Sequence, residues 1–197
     1  MDLKPILPID IDVDQTNYYW FQNGFSSSEL EEVEKLASKY PYTAATIVAN
    51  ETNIDESVRK SKIKWLHPNE DSQWLYDKLA NMVIEANQNA WKFNLYSIVD
   101  SIQYTEYLAG GGHYDWHVDI GPQNISHRKV SIVIQLSDPT DYDGGDLELW
   151  NGGAIKPVYR GRGTTVLFPS FTMHRVTPVT RGLRKSLVLW VGGEHYK

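Results

Sequence analysis

Residues 113–119 read His-Tyr-Asp-Trp-His-Val-Asp, so histidine, any residue, aspartate occurs twice within one short stretch. Residues two apart on a β-strand point to the same face, so His113 with Asp115, or His117 with Asp119, could offer a nitrogen and an oxygen to one ion. Alternation alone does not choose between the pairs, and a solvated strand face is the plain alternative. A third donor has to come from elsewhere. His67 precedes a proline in a polar loop, His127 sits among Ser126, Arg128 and Lys129, and His195 lies almost at the C-terminus, all surface settings. His174 is different, because it stands inside a strand-rich region between TTVLFPS and VTPVTRGLRKSLVLW. Two histidines and one carboxylate on a rigid sheet form the facial set that suits non-haem Fe(II) and leaves coordination positions open. Arg184 follows on the next strand, where it shares a face with Ser186 while Lys185 points away. Its planar guanidinium can clamp a carboxylate with two parallel hydrogen bonds, which a lysine ammonium cannot.

The elements that must carry these residues change character along the chain. In FSSSELEEVEKLASKY, Ser26 stands three residues before Glu29 as a capping box, and Leu30, Val33 and Ala37 recur at helical spacing, which predicts a helix from about Ser26 to Tyr40. A second, longer helix is predicted from Asp71 to Trp91, with Leu75, Leu79, Met82, Val83, Ala86 and Ala90 on one stripe. Between them VRKSKIKWL reads as a strand or edge segment. From about Leu95 onward, short runs rich in Val, Ile, Thr, Tyr and Trp alternate with glycine turns, and strands are expected near 97–107, 113–119, 129–137, 145–150, 155–159, 164–168 and 184–191. The turn from Thr180 to Gly182 is read as separating the last strand from His174. The expected class is α+β, mainly β: a jelly-roll core over 95–197 with a helical support region over 1–94, in one domain.

Composition narrows the partners. The chain has 197 residues, with 19 Lys and Arg against 25 Asp and Glu, so no positive field draws it toward nucleic acid or an anionic membrane. The opening MDLKPILPIDIDVD lacks the basic start and continuous apolar stretch of a secretory signal, and no apolar run is long enough for a membrane span, so a cytoplasmic chain is expected. There is no cysteine, so a metal here is held by nitrogen and oxygen.

Three segments taken together resemble a known family: YLAGGGHYDWHVD at 107–119, LSDPTDYDGGDLEL at 136–149 and FPSFTMHRVTPVTRGLRKSLVLWV at 168–191. They are similar to the Fe(II) and 2-oxoglutarate-dependent dioxygenases, in the prolyl 4-hydroxylase-like branch that includes the PKHD-type hydroxylases. The resemblance implies a double-stranded β-helix, cupin-like, and it selects His117 and Asp119 over His113 and Asp115. It makes His174 the distal ligand, Arg184 the clamp for the far carboxylate of 2-oxoglutarate, and Tyr107 a hydrogen-bonding residue for the same co-substrate. Where relatives often carry a second tyrosine on the strand after the iron ligands, this chain reads VSIVIQLSD, with Gln135 the nearest polar replacement. The implied cofactors are Fe(II), 2-oxoglutarate and O2, with ascorbate a further candidate. The implied reaction is hydroxylation of a prolyl residue in a peptide or protein, with release of succinate and CO2.

Tyr114 and Trp150 are the candidate lining of a substrate groove, whereas Trp116, opposite the ligand face, reads as packing. ANETNIDESVRKSK, at 49–62, is a lid candidate or a plain solvated loop. Two other readings compete. The same chemistry could act on a free amino acid or other small molecule; alkylated bases fit poorly, since Trp190 stands where base-repair relatives carry a second arginine. A non-catalytic jelly-roll binding protein is the other, and fold alone allows it.

Overall fold

The structure is a computed structural model describing residues 17–45 and 55–195. The opening segment and residues 49–54 of the lid candidate lie outside the described residues. The chain runs β1 (Tyr19–Phe21), α1 (Ser27–Ser38), β2 (Thr43–Ala44), β3 (Arg59–Lys60), β4 (Lys62–Leu66), α2 (Gln73–Ala90), β5 (Leu95–Ile98), β6 (Ile102–Leu108) and β7 (Gly112–His117). A 3-10 turn at Gln123–Ile125 leads to β8 (Arg128–Gln135), β9 (Tyr142–Gly144), β10 (Leu147–Asn151), β11 (Ala154–Pro157), β12 (Thr165–Pro169) and β13 (His174–Gly193).

Both helices form where their signals lie. The Ser26 hydroxyl accepts from the Glu29 backbone N–H, and the Glu29 carboxylate accepts from the Ser26 N–H, so the capping box satisfies two end groups of α1. Leu30, Val33, Leu36 and Ala37 of α1, and Leu75, Leu79, Val83 and Ala86 of α2, are buried together against one face of the larger sheet. No helix among the described residues is long and apolar enough to cross a membrane.

The strands build two antiparallel sheets that share β13. The major sheet runs β2-β4-β6-β13-β8-β12-β1, with β5 beside the end of β13; the minor sheet places β7, extended by β3, on one side of β13, and β9 and β10, extended by β11, on the other. Tyr107, Val133, Tyr142, Leu147, Phe168 and Val176 fill the space between the sheets. This is the mainly β jelly roll expected, with the helices covering the far face of the major sheet.

Four readings are corrected. The region before residue 95 is not only helical support, since β1 to β4 join the sheets. The strand expected over 97–107 is two strands, β5 and β6. No hairpin separates His174 from Arg184: β13 is one strand of 20 residues. Gly182, at φ +76°, is the point where it leaves the minor sheet for the major one. A Cβ there would run into the carbonyl oxygen of Asp141, so only glycine fits the crossing. Finally, the described part of the lid candidate is a turn at 55–58 that leads into the sheets, with Arg59 and Lys60 paired to β7 and Lys62 to β6.

Candidate metal centre and cavity

The antiparallel register of β7 and β13 sets His117 directly opposite His174. Such cross-strand neighbours have Cβ atoms about 5 Å apart, within reach of one ion. The next pair in register is Tyr114 with Val176, three residues on along β7 against two along β13, so β7 carries a bulge between Tyr114 and His117. A bulge inserts one residue and reverses the alternation beyond it. Tyr114 therefore faces inward with His117, their rings stacked at 3.5 Å between centroids. Asp119 lies just past the end of β7, not on the strand as expected, and its backbone N–H donates to the Ser170 carbonyl at 2.9 Å.

The donor atoms of His117, Asp119 and His174 lie within 4.8 Å of one another. His117 Nδ1 is 2.7 Å from the Asp115 carbonyl oxygen, and His174 Nδ1 is 2.9 Å from that of Thr172. A carbonyl only accepts, so each Nδ1 carries the proton and each Nε2 keeps its lone pair for the centre. Those Nε2 atoms are 3.7 Å and 3.5 Å from the Asp119 carboxylate. The Ser131 hydroxyl donates to Asp119 Oδ2 at 2.6 Å. Burial pushes His117 down to about 3, and His174 beside it acts in the same direction. Burial alone would raise Asp119, but the two imidazoles and the Ser131 hydroxyl outweigh it and hold the carboxyl below the usual range. The donor set is thus two imidazole nitrogens and one carboxylate oxygen, which fits Fe(II).

These donors line a cavity of about 540 Å³ that also reaches Tyr107, Tyr114, Arg184 and Ser186. Arg184 is 1% exposed. Its Nη2 donates to Gln135 Oε1 at 3.0 Å, its Nη1 lies 3.5 Å from Ser186 Oγ, and its Nε has no partner. The guanidinium lies over the Tyr107 ring, 5.3 Å from the centroid, because Tyr107 and Arg184 are partners in the β6–β13 register. Gln135 turns to Arg184 and orients it. Lys185 points to the other face and pairs with Glu34 of α1 at 3.0 Å, as alternation predicted.

The remaining sequence candidates fall elsewhere. His113 has its ring nitrogens 2.7 Å and 3.0 Å from the carbonyl oxygens of Gly111 and Ser57, turned away from the centre by the bulge. Trp150 does not line the cavity: Leu149 points inward beside His174, so Trp150 faces outward and meets Trp116 edge to face at 6.0 Å. His67 and His195 are exposed, and His127 packs on Tyr96. Sequence reasoning missed Ser131, Arg59 and the pair of buried Arg128 with half-buried Asp100, 2.8 Å apart, which also lines the cavity. A serine inside the apolar run VSIVIQ was a signal, since a polar group in a strand covered on both faces needs a partner.

Fold and donor set together define a class: a double-stranded β-helix with two histidines and one carboxylate between its sheets. Residues 102–192 match the model of the 2OG-Fe(II) oxygenase superfamily, a stretch that contains all three donors and Arg184. That part of the chain is similar to the superfamily, whose name carries Fe(II) and 2-oxoglutarate. Among curated relatives, a PKHD-type hydroxylase of Teredinibacter turnerae is 43% identical over 86 residues, which is 41% of this chain and 38% of the relative. One from Pseudoalteromonas atlantica is 30% identical over 139 residues, 66% of this chain and 61% of the relative. The chain thus spans less than two thirds of the length of these relatives. Among solved structures, the Trichoplax adhaerens prolyl hydroxylase in complex with a hypoxia inducible factor peptide fragment has TM-score 0.77 and 19% identity, covering 92% of this chain and 86% of that one. A Pseudomonas putida prolyl-4-hydroxylase has TM-score 0.71 and 22% identity, covering 93% and 96%. At these identities the likeness concerns the fold.

Proposed function

We propose that the chain is an Fe(II)- and 2-oxoglutarate-dependent hydroxylase acting on a prolyl residue in a peptide or protein. The observation that carries this reading is Arg184. It is a fully buried cation with no acidic partner among the described residues, and it lines the same cavity as His117, Asp119 and His174. A buried charge without a counter-ion costs several kcal/mol. A dicarboxylate held at both ends of this cavity removes that cost, whereas a simple metal-storage site has no use for the arginine.

His117, Asp119 and His174 would hold Fe(II), and Arg184, backed by Gln135 and Ser186, would hold the far carboxylate of 2-oxoglutarate. When bound with dioxygen, these groups supply an oxidising reaction that places a hydroxyl group on the substrate and leaves succinate and CO2. Ascorbate fits as a reductant that keeps the iron ferrous. The chain's own residues bind, orient and exclude water: the carbonyls of Asp115 and Thr172 fix the imidazoles, and Tyr107 closes the wall beside the guanidinium. No general base is needed. The prolyl substrate rests on the solved neighbours, which are prolyl hydroxylases, and the curated relatives add hydroxylation alone.

Succinate release from 2-oxoglutarate with added Fe(II), with and without proline-containing peptides, tests the reading. His117→Ala and Arg184→Ala are expected to abolish it and His113→Ala to keep it. Turnover that survives in His117→Ala, or is lost equally in His113→Ala, overturns the assignment.

A further inference from the structure

Three arginines line the cavity, and they are not in equal states. Arg128 is matched by Asp100, and Arg184 has a carboxylate waiting for it in the proposed reaction. Arg59 has neither. It is 5% exposed, its Nε donates to Ser61 Oγ at 3.0 Å, and its guanidinium lies over the Tyr114 ring, 4.6 Å from the centroid. No carboxylate pairs with it among the described residues. Tyr114 in turn stacks on His117, so Arg59 stands one aromatic ring away from the metal donors. The β3–β7 register fixes this, because Arg59 and Tyr114 are direct partners.

We propose that Arg59 anchors a free carboxylate on the substrate, attached to or next to the residue that is hydroxylated. The inference rests on the hydroxylase reading and deepens it. A divalent metal and three arginines face Asp119, Asp100 and the two carboxylates of the keto acid, which leaves one positive charge uncovered in a buried space. An uncompensated charge there is costly, and a substrate anion beside Tyr114 cancels it. Arginine suits the task because its fork meets both oxygens of a carboxylate while its flat face stays on the tyrosine. The carboxylate could belong to a free amino acid or to the C-terminal residue of a peptide; the chemistry at Arg59 is the same.

Calorimetric titration of L-proline, acetyl-Gly-Pro with a free carboxylate, and acetyl-Gly-Pro amide separates the cases, performed on the protein alone and again with Mn(II) and 2-oxoglutarate, where no turnover occurs. Titration of 2-oxoglutarate itself into the Mn(II) protein reports on the hydroxylase reading separately. The acids are expected to bind more tightly than the amide by roughly tenfold or more, the scale of one charge-assisted hydrogen bond. Arg59→Gln should erase that preference and Arg59→Lys restore part of it, which loss of folding alone would not do. Tighter binding of proline than of the peptide acid identifies a free amino acid as the source, and the reverse a peptide C-terminus. Equal binding of acid and amide, no binding of any probe, or an acid preference that survives in Arg59→Gln overturns the proposal.

Discussion

Ser131 lies at the middle of β8 with no exposed surface, and its single hydroxyl proton goes to Asp119 Oδ2. The Ser170 hydroxyl, 3.0 Å away, must then donate to Ser131, so a chain of two serines holds one carboxylate oxygen in place. Ser131→Ala should weaken Co(II) or Mn(II) binding roughly 10- to 100-fold, as loss of such supporting bonds commonly does. Unchanged affinity in a direct metal titration would show that the backbone of Asp119 positions the carboxylate unaided. At this scale the sequence was most informative for residues whose chemistry is unusual. His117, Asp119, His174 and Arg184 were all legible through their segments and they meet in one cavity. Arg59 was not, because nothing in VRKSK separates it from Lys60 until the strand has a partner.

At the scale of elements, β13 carries the most. One half supplies His174 to the minor sheet, the other supplies Arg184 to the major sheet, and Gly182 joins them. Gly182→Ala forces a side chain into a left-handed backbone and against the Asp141 carbonyl. It should cost about 1–3 kcal/mol. Since all three metal donors precede the crossing and Arg184 follows it, affinity for 2-oxoglutarate should fall further than affinity for Mn(II). Calorimetry on both ligands checks this, and an equal fall would mean that the crossing does not set the spacing. The capping box of α1 was readable because its two partners are neighbours in sequence. The bulge in β7 and the passage of β13 at Gly182 were not. Both are defined by which strand lies alongside, so a glycine that read as a turn proved to be a bend within one strand, and regular alternation left His113 on the face of His117 although the bulge turns it away.

For the molecule as a whole, burial of the metal donors couples the site to folding. An unfolded chain protonates its histidines near about pH 6.5, whereas the folded chain keeps His117 neutral down to about 3. The unfolded state therefore binds more protons in that window, and stability of the metal-free protein should be full above the ordinary histidine range and decline as pH falls toward 3. Asp119, also held low, adds a loss in the same direction at more acid pH. Urea midpoints measured between about pH 7 and pH 4 should fall, and His117→Asn should make the fall shallower. A slope identical to wild type would detach His117 from the effect. The pairing of His117 with His174 has a further consequence in time. The first histidine belongs to a strand made early in the jelly roll, and its partner opens the last one. A nascent chain halted anywhere before β13 cannot assemble the three donors. In the proposed enzyme, metal loading follows synthesis of that strand, and added iron does not rescue an interrupted chain.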